Sequence, residues 1–191
     1  MTIHCHWFDA EKTRMRLPDL AAIYTSAFAA PPYNESPRVT KGFDEMLDRH
    51  RRRLGFRLCA AVDDQNGALA GFAYGFSSRP GQPWHELMRT VLGAELAGHW
   101  LHDCFELVEL AVAPEQQGLG SGGQLHDMLL SGIVHDRALL STLAAETPAR
   151  HLYRSRGWQE VVAKFRYPHT AAPHYTVLGL DVVEFIRQGV S

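Results

Sequence analysis

The stretch from Phe105 to Ile133, FELVELAVAPEQQGLGSGGQLHDMLLSGI, limits what this chain can fold into more than any other. It reads as an apolar strand, then a loop holding Gln117-Gly118-Leu119-Gly120-Ser121-Gly122-Gly123, then an amphipathic helix with Leu125, Met128, Leu129, Gly132 and Ile133 on one face. Elements in that order can build a pyrophosphate site. Glycines let the backbone approach phosphates closely, and the first free N–H groups of a helix, at its positive dipole end, accept negative charge. Several glycines at a helix start are costly unless something must come close to them.

Two other phosphate loops fit less well. No Gly-Lys-Ser/Thr follows, so the lysine and the magnesium-binding hydroxyl of a P-loop are both missing. Gly118, Gly120 and Gly123 do match G-x-G-x-x-G. A dinucleotide fold, however, puts the first glycine almost directly after the strand and an acid about 20 positions on. Here Ala113-Pro114-Glu115-Gln116-Gln117 intervenes, Ala138 to Ala145 carries no acid, and the tail after Gly123 is too short for a second mononucleotide half. A nucleotide-dependent oxidoreductase is therefore disfavoured.

The rest of the chain reads as alternating strands and helices. Ile3 to Phe8 nearly alternates, and Pro18 opens a helix with Leu20, Ile23, Tyr24, Ala27 and Phe28 at helical spacing. Ala29 to Pro37 is a loop, and Thr40 caps a second helix with the stripe Phe43, Met46, Leu47 and Leu54. Phe56 to Val62 and Ala68 to Phe76 form a hairpin through Asn66-Gly67. After Arg79-Pro80-Gly81-Gln82-Pro83, an inserted helix from His85 to Leu101 turns Leu87, Val91, Leu92, Leu96 and Trp100 inward. Ala138 to Leu143 is apolar enough for a buried strand parallel to Phe105–Val112. Thr147-Pro148 is an N-cap followed by N1 of a helix that runs to Arg156 and stops at Gly157. Val161 to Arg166 and His174 to Leu180 are the last strands, separated by the Pro168 to Pro173 loop. The expected fold is α/β: one domain over residues 1–191, with a mixed central sheet and helices on both faces.

Two landmarks in this order carry a family resemblance. The pattern Arg/Gln-x-x-Gly-x-Gly/Ala falls on Gln117, Gly120 and Gly122 after a strand ending Leu110-Ala111-Val112. It resembles motif A of the GCN5-related N-acetyltransferases. Leu152-Tyr153-Arg154-Ser155-Arg156-Gly157-Trp158 is similar to that family's second landmark, a Tyr on a short helix ended by Gly and an aromatic. The resemblance spans nearly the whole chain. It departs where the family often has Asn at the start of the second helix, because Glu146-Thr147 stand there.

The resemblance implies an acetyl-CoA-dependent N-acetyltransferase acting on a primary amine of a small molecule or peptide by direct attack. In the family the strand end opens away from its parallel neighbour. Leu110, Ala111 and Val112 would then offer main-chain groups to the pantetheine and thioester, while Gln117, Gly118, Leu119, Gly120, Ser121 and Gly122 wrap the pyrophosphate. Tyr153 stands where the family often keeps a general acid, and it would lie beside the coenzyme. An ammonium near pKa 10.4 must lose a proton before it attacks. Glu106 and Glu109 are the two candidate bases; three apart on a strand, they point to opposite faces. Each can equally be half of a structural ion pair. A non-catalytic coenzyme-binding module on the same fold is the alternative.

The remaining features bound the partners. With 191 residues, 46% of them hydrophobic, and 19 basic against 21 acidic groups, the chain has enough core for one domain and no bulk basic face for nucleic acid. Arg49, Arg51, Arg52 and Arg53 form the one dense basic run, fit for a solvated helix end or for a coenzyme phosphate. No apolar run reaches membrane-spanning length. Cys5, Cys59 and Cys104 are odd in number and scattered, which fits a reducing cytoplasm, and none falls on a motif position. His99 and His102 beside Asp103 lack a further ligand set, so no metal is expected. The insertion from Arg79 to Asp103, the Ala29 to Pro37 loop and the Pro168 to Pro173 loop should line the acceptor pocket, and a homodimer is compatible with the fold.

Overall fold

In the computed structural model, residues 2–35, 41–168 and 174–187 are described. Seven strands form one mixed sheet in the order β1-β2-β3-β4-β5-β7-β6. They are β1 Ile3–Phe8, β2 Arg57–Asp63, β3 Leu69–Ser78, β4 Cys104–Val112, β5 Arg137–Leu143, β6 Gln159–Phe165 and β7 Tyr175–Asp181. The helices are α1 Ala10–Met15, α2 Leu17–Ala29, α3 Phe43–His50, α4 Pro83–Trp100, α5 Ser121–Leu130, α6 Pro148–Ser155 and α7 Val182–Arg187, with a 3-10 turn at Pro114–Gln116. The chain divides into two compact units: residues up to Phe76 with Leu107–Ser131, and Ser77–Glu106 with residues from Gly132 onward.

In the first unit, β1, β2 and β3 are antiparallel neighbours. Leu58 faces Tyr74 and Ala60 faces Phe72 across β2 and β3, and this side packs on Leu20 and Tyr24 of α2 and Phe43 and Leu47 of α3. The opposite side carries Cys59, whose thiol donates to the Leu125 carbonyl of α5 at 3.3 Å. Helices thus cover both faces of this part of the sheet.

In the second unit, Cys104–Glu106 of β4 run parallel to Arg137–Leu139 of β5, as the nearly all-apolar run Ala138–Leu143 predicts. β5 and β6 each pair antiparallel with β7. Met88, Leu92 and Trp100 of α4 pack over Cys104, Leu139 and Val177. The Thr147 side chain accepts from the Arg150 N–H, Pro148 stands in the first turn, and Gly157 at φ 81° ends the segment, as expected of α6.

Several boundaries differ from expectation for local reasons. Asp9 accepts from Lys12 N–H at 2.7 Å and caps α1, a short helix the periodicity missed. α3 stops at His50, where Arg51 and Arg52 fold back on Asp48, so Leu54 lies outside the helix and exposed. Gly93, at φ 72° and ψ 171°, interrupts α4; beyond it Leu96 is exposed while Trp100 is buried. α7 extends the chain past the last expected strand. The expected Thr40 cap and most of the Pro168–Pro173 loop lie outside the described residues. Among the described residues, no helix is long and apolar enough to cross a membrane, and no group of three or more His, Cys, Asp or Glu is placed to hold a metal ion.

Candidate active site

The glycine loop is shaped for an anion. Gly118 and Gly120 take φ of 74° and 94°, the left-handed region that side chains disfavour. A Cβ built at either meets nothing within 4 Å, so space is open above the backbone. Gly120 is the N-cap of α5 and brings no capping side chain, so the first-turn N–H groups of Ser121, Gly122 and Gly123 receive no acceptor from it. Such a turn with a positive dipole end suits a pyrophosphate.

The strand end and the loop hold each other. The Gln117 side-chain amide donates to the Val112 carbonyl at 3.0 Å, and its backbone N–H points at Pro114 O at 3.3 Å. Gln117 therefore fixes the loop through its side chain, and its backbone N–H is one of those the sequence reading gave to phosphate. Ala113 N–H donates to Ala70 O at 2.9 Å, tying the end of β4 to β3. Gly71 lets them approach: a Cβ there would sit 2.8 Å from Ala111 O and 3.2 Å from Val112 Cα. Leu110 is half-buried, Ala111 and Val112 are buried, and Leu119 is exposed at the loop tip.

The two glutamates of β4 lie in different surroundings. Burial, aided by the charge of Glu35, pushes the Glu109 carboxyl up to about 8. Glu35 is itself raised by burial, against a 3.5 Å hydrogen bond from the Tyr24 hydroxyl. Its place is set by its own N–H, which donates to Phe28 O at 2.9 Å, and by Tyr24, whose ring stacks on Phe43 at 4.1 Å. Neither Glu35 nor Tyr24 had a site role in the sequence reading, since nothing in their spacing links them to residue 109. Glu106 is buried in the second unit, in register with Leu139.

Tyr153 is buried on α6, its ring edge-on to Trp158 at 5.6 Å, and its carbonyl accepts from Trp158 N–H at 3.1 Å. Gly157 makes that return possible. Arg150, also buried, donates to Ala144 O at 2.7 Å and to Glu160 at 2.9 Å. Glu146 forms a two-pronged pair with Arg154. Where the family often has Asn, the side chains present are thus engaged in a cap and an ion pair.

Of the basic run, Arg51 and Arg52 pair with Asp48, and Arg53 lies 4.5 Å over the Phe76 ring. All three cysteines are free. Burial pushes the Cys59 thiol up to about 12 and raises Cys104 and Cys5 as well.

Comparison with known proteins agrees with the α/β fold. A GCN5-like protein acetyltransferase of Mycobacterium tuberculosis is 29% identical over 182 residues, covering 80% of this chain and 85% of that protein. Among solved structures, a Salmonella typhimurium protein with its cofactor acetyl-CoA aligns with TM-score 0.65 at 15% identity, covering 95% of each chain. The ribosomal-protein-S18-alanine N-acetyltransferase of Escherichia coli aligns with TM-score 0.61 at 19% identity, covering 95% of this chain and 94% of that one. The model of the acetyltransferase (GNAT) family matches residues 17–158, most of the sequence, and the chain belongs to that family.

Proposed function

We propose that the protein transfers the acetyl group of acetyl-CoA to a primary amine of a small molecule or peptide by direct attack, with no acyl-enzyme, as a single cytoplasmic domain. The observation that carries the reading is the turn at Gly118 and Gly120, whose left-handed backbone and open surroundings lead into the start of α5; Glu109, held above the usual carboxylate range by burial, is the base in its deprotonated form. Acetyl-CoA supplies the acetyl group as a thioester. Ser121, Gly122 and Gly123, with the turn at Gly118 and Gly120, hold its pyrophosphate, and the main chain of Leu110–Val112 holds its arm. Glu109 takes one proton from the ammonium, and the nitrogen lone pair then forms the C–N bond as the C–S bond breaks. Tyr153, in the role the family resemblance gives it, donates its proton to the departing sulfur. The amide nitrogen sheds its remaining excess proton to solvent.

Direct attack is supported by the thiols. A nucleophilic cysteine needs an accessible, lowered thiol, and all three here are raised by burial. Free cysteines also support a reducing compartment. The test is release of free CoA from acetyl-CoA across a panel of amines that includes peptide N-termini and lysine side chains. Turnover with at least one amine class is expected. Tight binding of acetyl-CoA with no turnover over the whole panel would instead make the chain a coenzyme-binding regulatory module.

A further inference from the structure

We propose that Arg150 is a positioning residue: from the buried face of α6 it clamps the exit of β5 to β6, and so fixes where Tyr153 is held. This rests on the N-acetyltransferase reading above and on the proton-donor role given there to Tyr153.

α6 does not set its own orientation. It spans only Pro148–Ser155, and a helix this short draws its stability from packing rather than from its own hydrogen bonds. Arg150 and Tyr153 stand three apart, which puts them on one face, and both are buried. Their neighbours His151 and Arg154 are exposed. What Arg150 grips therefore decides how the Tyr153 face sits.

The guanidinium grips two segments at once. Nη1 donates to the Ala144 carbonyl at 2.7 Å, just past the end of β5, and Nη2 donates to Glu160 Oε2 at 2.9 Å on β6. A Glu146 oxygen lies farther from Nη1, at 3.5 Å, and that carboxylate is mainly paired with Arg154. Ala144 is held in turn by its own N–H, which donates to His174 O at 2.9 Å. The Thr176 hydroxyl lies 3.5 Å from the same Glu160 oxygen and donates to Val162 O at 2.8 Å, so the clamp extends to β7.

Stability alone does not account for this arginine. Its Nε is buried and makes no hydrogen bond among the described residues. An apolar side chain of similar volume would pack there without that cost. A planar fork, however, reaches acceptors on two separate segments, which the single point of charge of a lysine does not reproduce. A slide or rotation of α6 would carry the Tyr153 hydroxyl with it.

Arg150→Lys keeps the charge and loses the fork. It should lower kcat roughly tenfold or more, toward the roughly 100-fold that a misplacement of about 1 Å carries, with the KM for acetyl-CoA little changed. In a Tyr153→Phe background the same substitution should have almost no further effect, because the group it positions is gone. An arginine that only stabilises the fold would lower activity by the same factor in both backgrounds. NMR of isotope-labelled tyrosine reads the placement without turnover: the Tyr153 resonance, identified by its loss in Tyr153→Phe, should shift or broaden in Arg150→Lys. Glu160→Gln, at an exposed position, weakens the same clamp and serves if Arg150→Lys does not fold. Losses that multiply in the double variant, or a Tyr153 resonance unmoved in both clamp variants, overturn the proposal. A resonance that moves in a protein releasing no CoA with any amine leaves the clamp standing and removes the catalytic reading instead.

Discussion

The charge of Glu35 bears on Glu109, and both carboxyls are held above the usual carboxylate range. A segment 74 positions away in sequence thus brings its charge to bear on the strand that the family resemblance marks as the reacting one. Like charges in a half-buried site raise each other's cost of ionisation, which is a way to move a carboxyl toward neutral pH.

The pH–rate profile should show this. Activity depends on deprotonated Glu109, so kcat/KM is expected to rise with pH through about 8. Glu35→Gln removes the opposing charge and should move that limb to lower pH. Glu109→Gln should lower kcat roughly 100-fold or more, the usual scale of general-base catalysis, and erase the limb. A limb that stays in place in Glu109→Gln would assign it to another group.

Stability should carry the opposite sign. The folded state holds the Glu109 proton that the unfolded chain releases near 4.5. The resulting stabilisation is present below that value and is lost as pH rises toward about 8. Thermal melts from pH 5 to pH 9 should show a falling Tm, with a shallower fall in Glu109→Gln.

The glycine loop gives a prediction about binding. Gly120→Ala puts a side chain at φ 94°, and since open space surrounds the new Cβ, the cost comes from the backbone alone. About 1–2 kcal/mol of strain is the general scale for the left-handed region. The loop should relax away from its turn, weakening acetyl-CoA binding by about tenfold in calorimetry with a Tm lower by only a few degrees. A variant with unchanged affinity would show that the N–H turn is not the phosphate site.

What could be read from the sequence was what is written locally. The strand, glycine loop and helix at 105–133 are contiguous, and Thr147-Pro148 carries its own cap, so both were placed without tertiary information. Leu54 and Leu96 were misplaced because a periodic stripe does not register where a helix ends or shifts phase; Arg51 turning back to Asp48 and the open dihedrals of Gly93 decide that. Glu35 was missed because its meaning lies in a long-range encounter with Glu109. Trp84 and Tyr167 were not paired, because the hydrogen bond that joins them spans 83 positions and neither residue's local spacing points to the other. The choice between Glu106 and Glu109 stayed open because strand alternation separates their faces but says nothing about which is near another charge.

Gly71 joins packing to the site and offers the last test. A methyl group at this position would meet the Ala111 carbonyl at 2.8 Å and Val112 Cα at 3.2 Å, both backbone atoms of β4, and the Leu125 side chain at 3.2 Å. Backbone cannot yield as a flexible side chain can, so Gly71→Ala must push β3 from the end of β4. Overpacking of this kind costs about 1–3 kcal/mol. The same displacement strains the hydrogen bond from Ala113 N–H to Ala70 O and, through Val112, the Gln117 tether of the loop. Urea denaturation should report the stability loss. A KM for acetyl-CoA that rises well beyond what the unfolded fraction explains would locate the coenzyme contacts at Leu110–Val112, whereas a stable fold with normal KM would place them elsewhere.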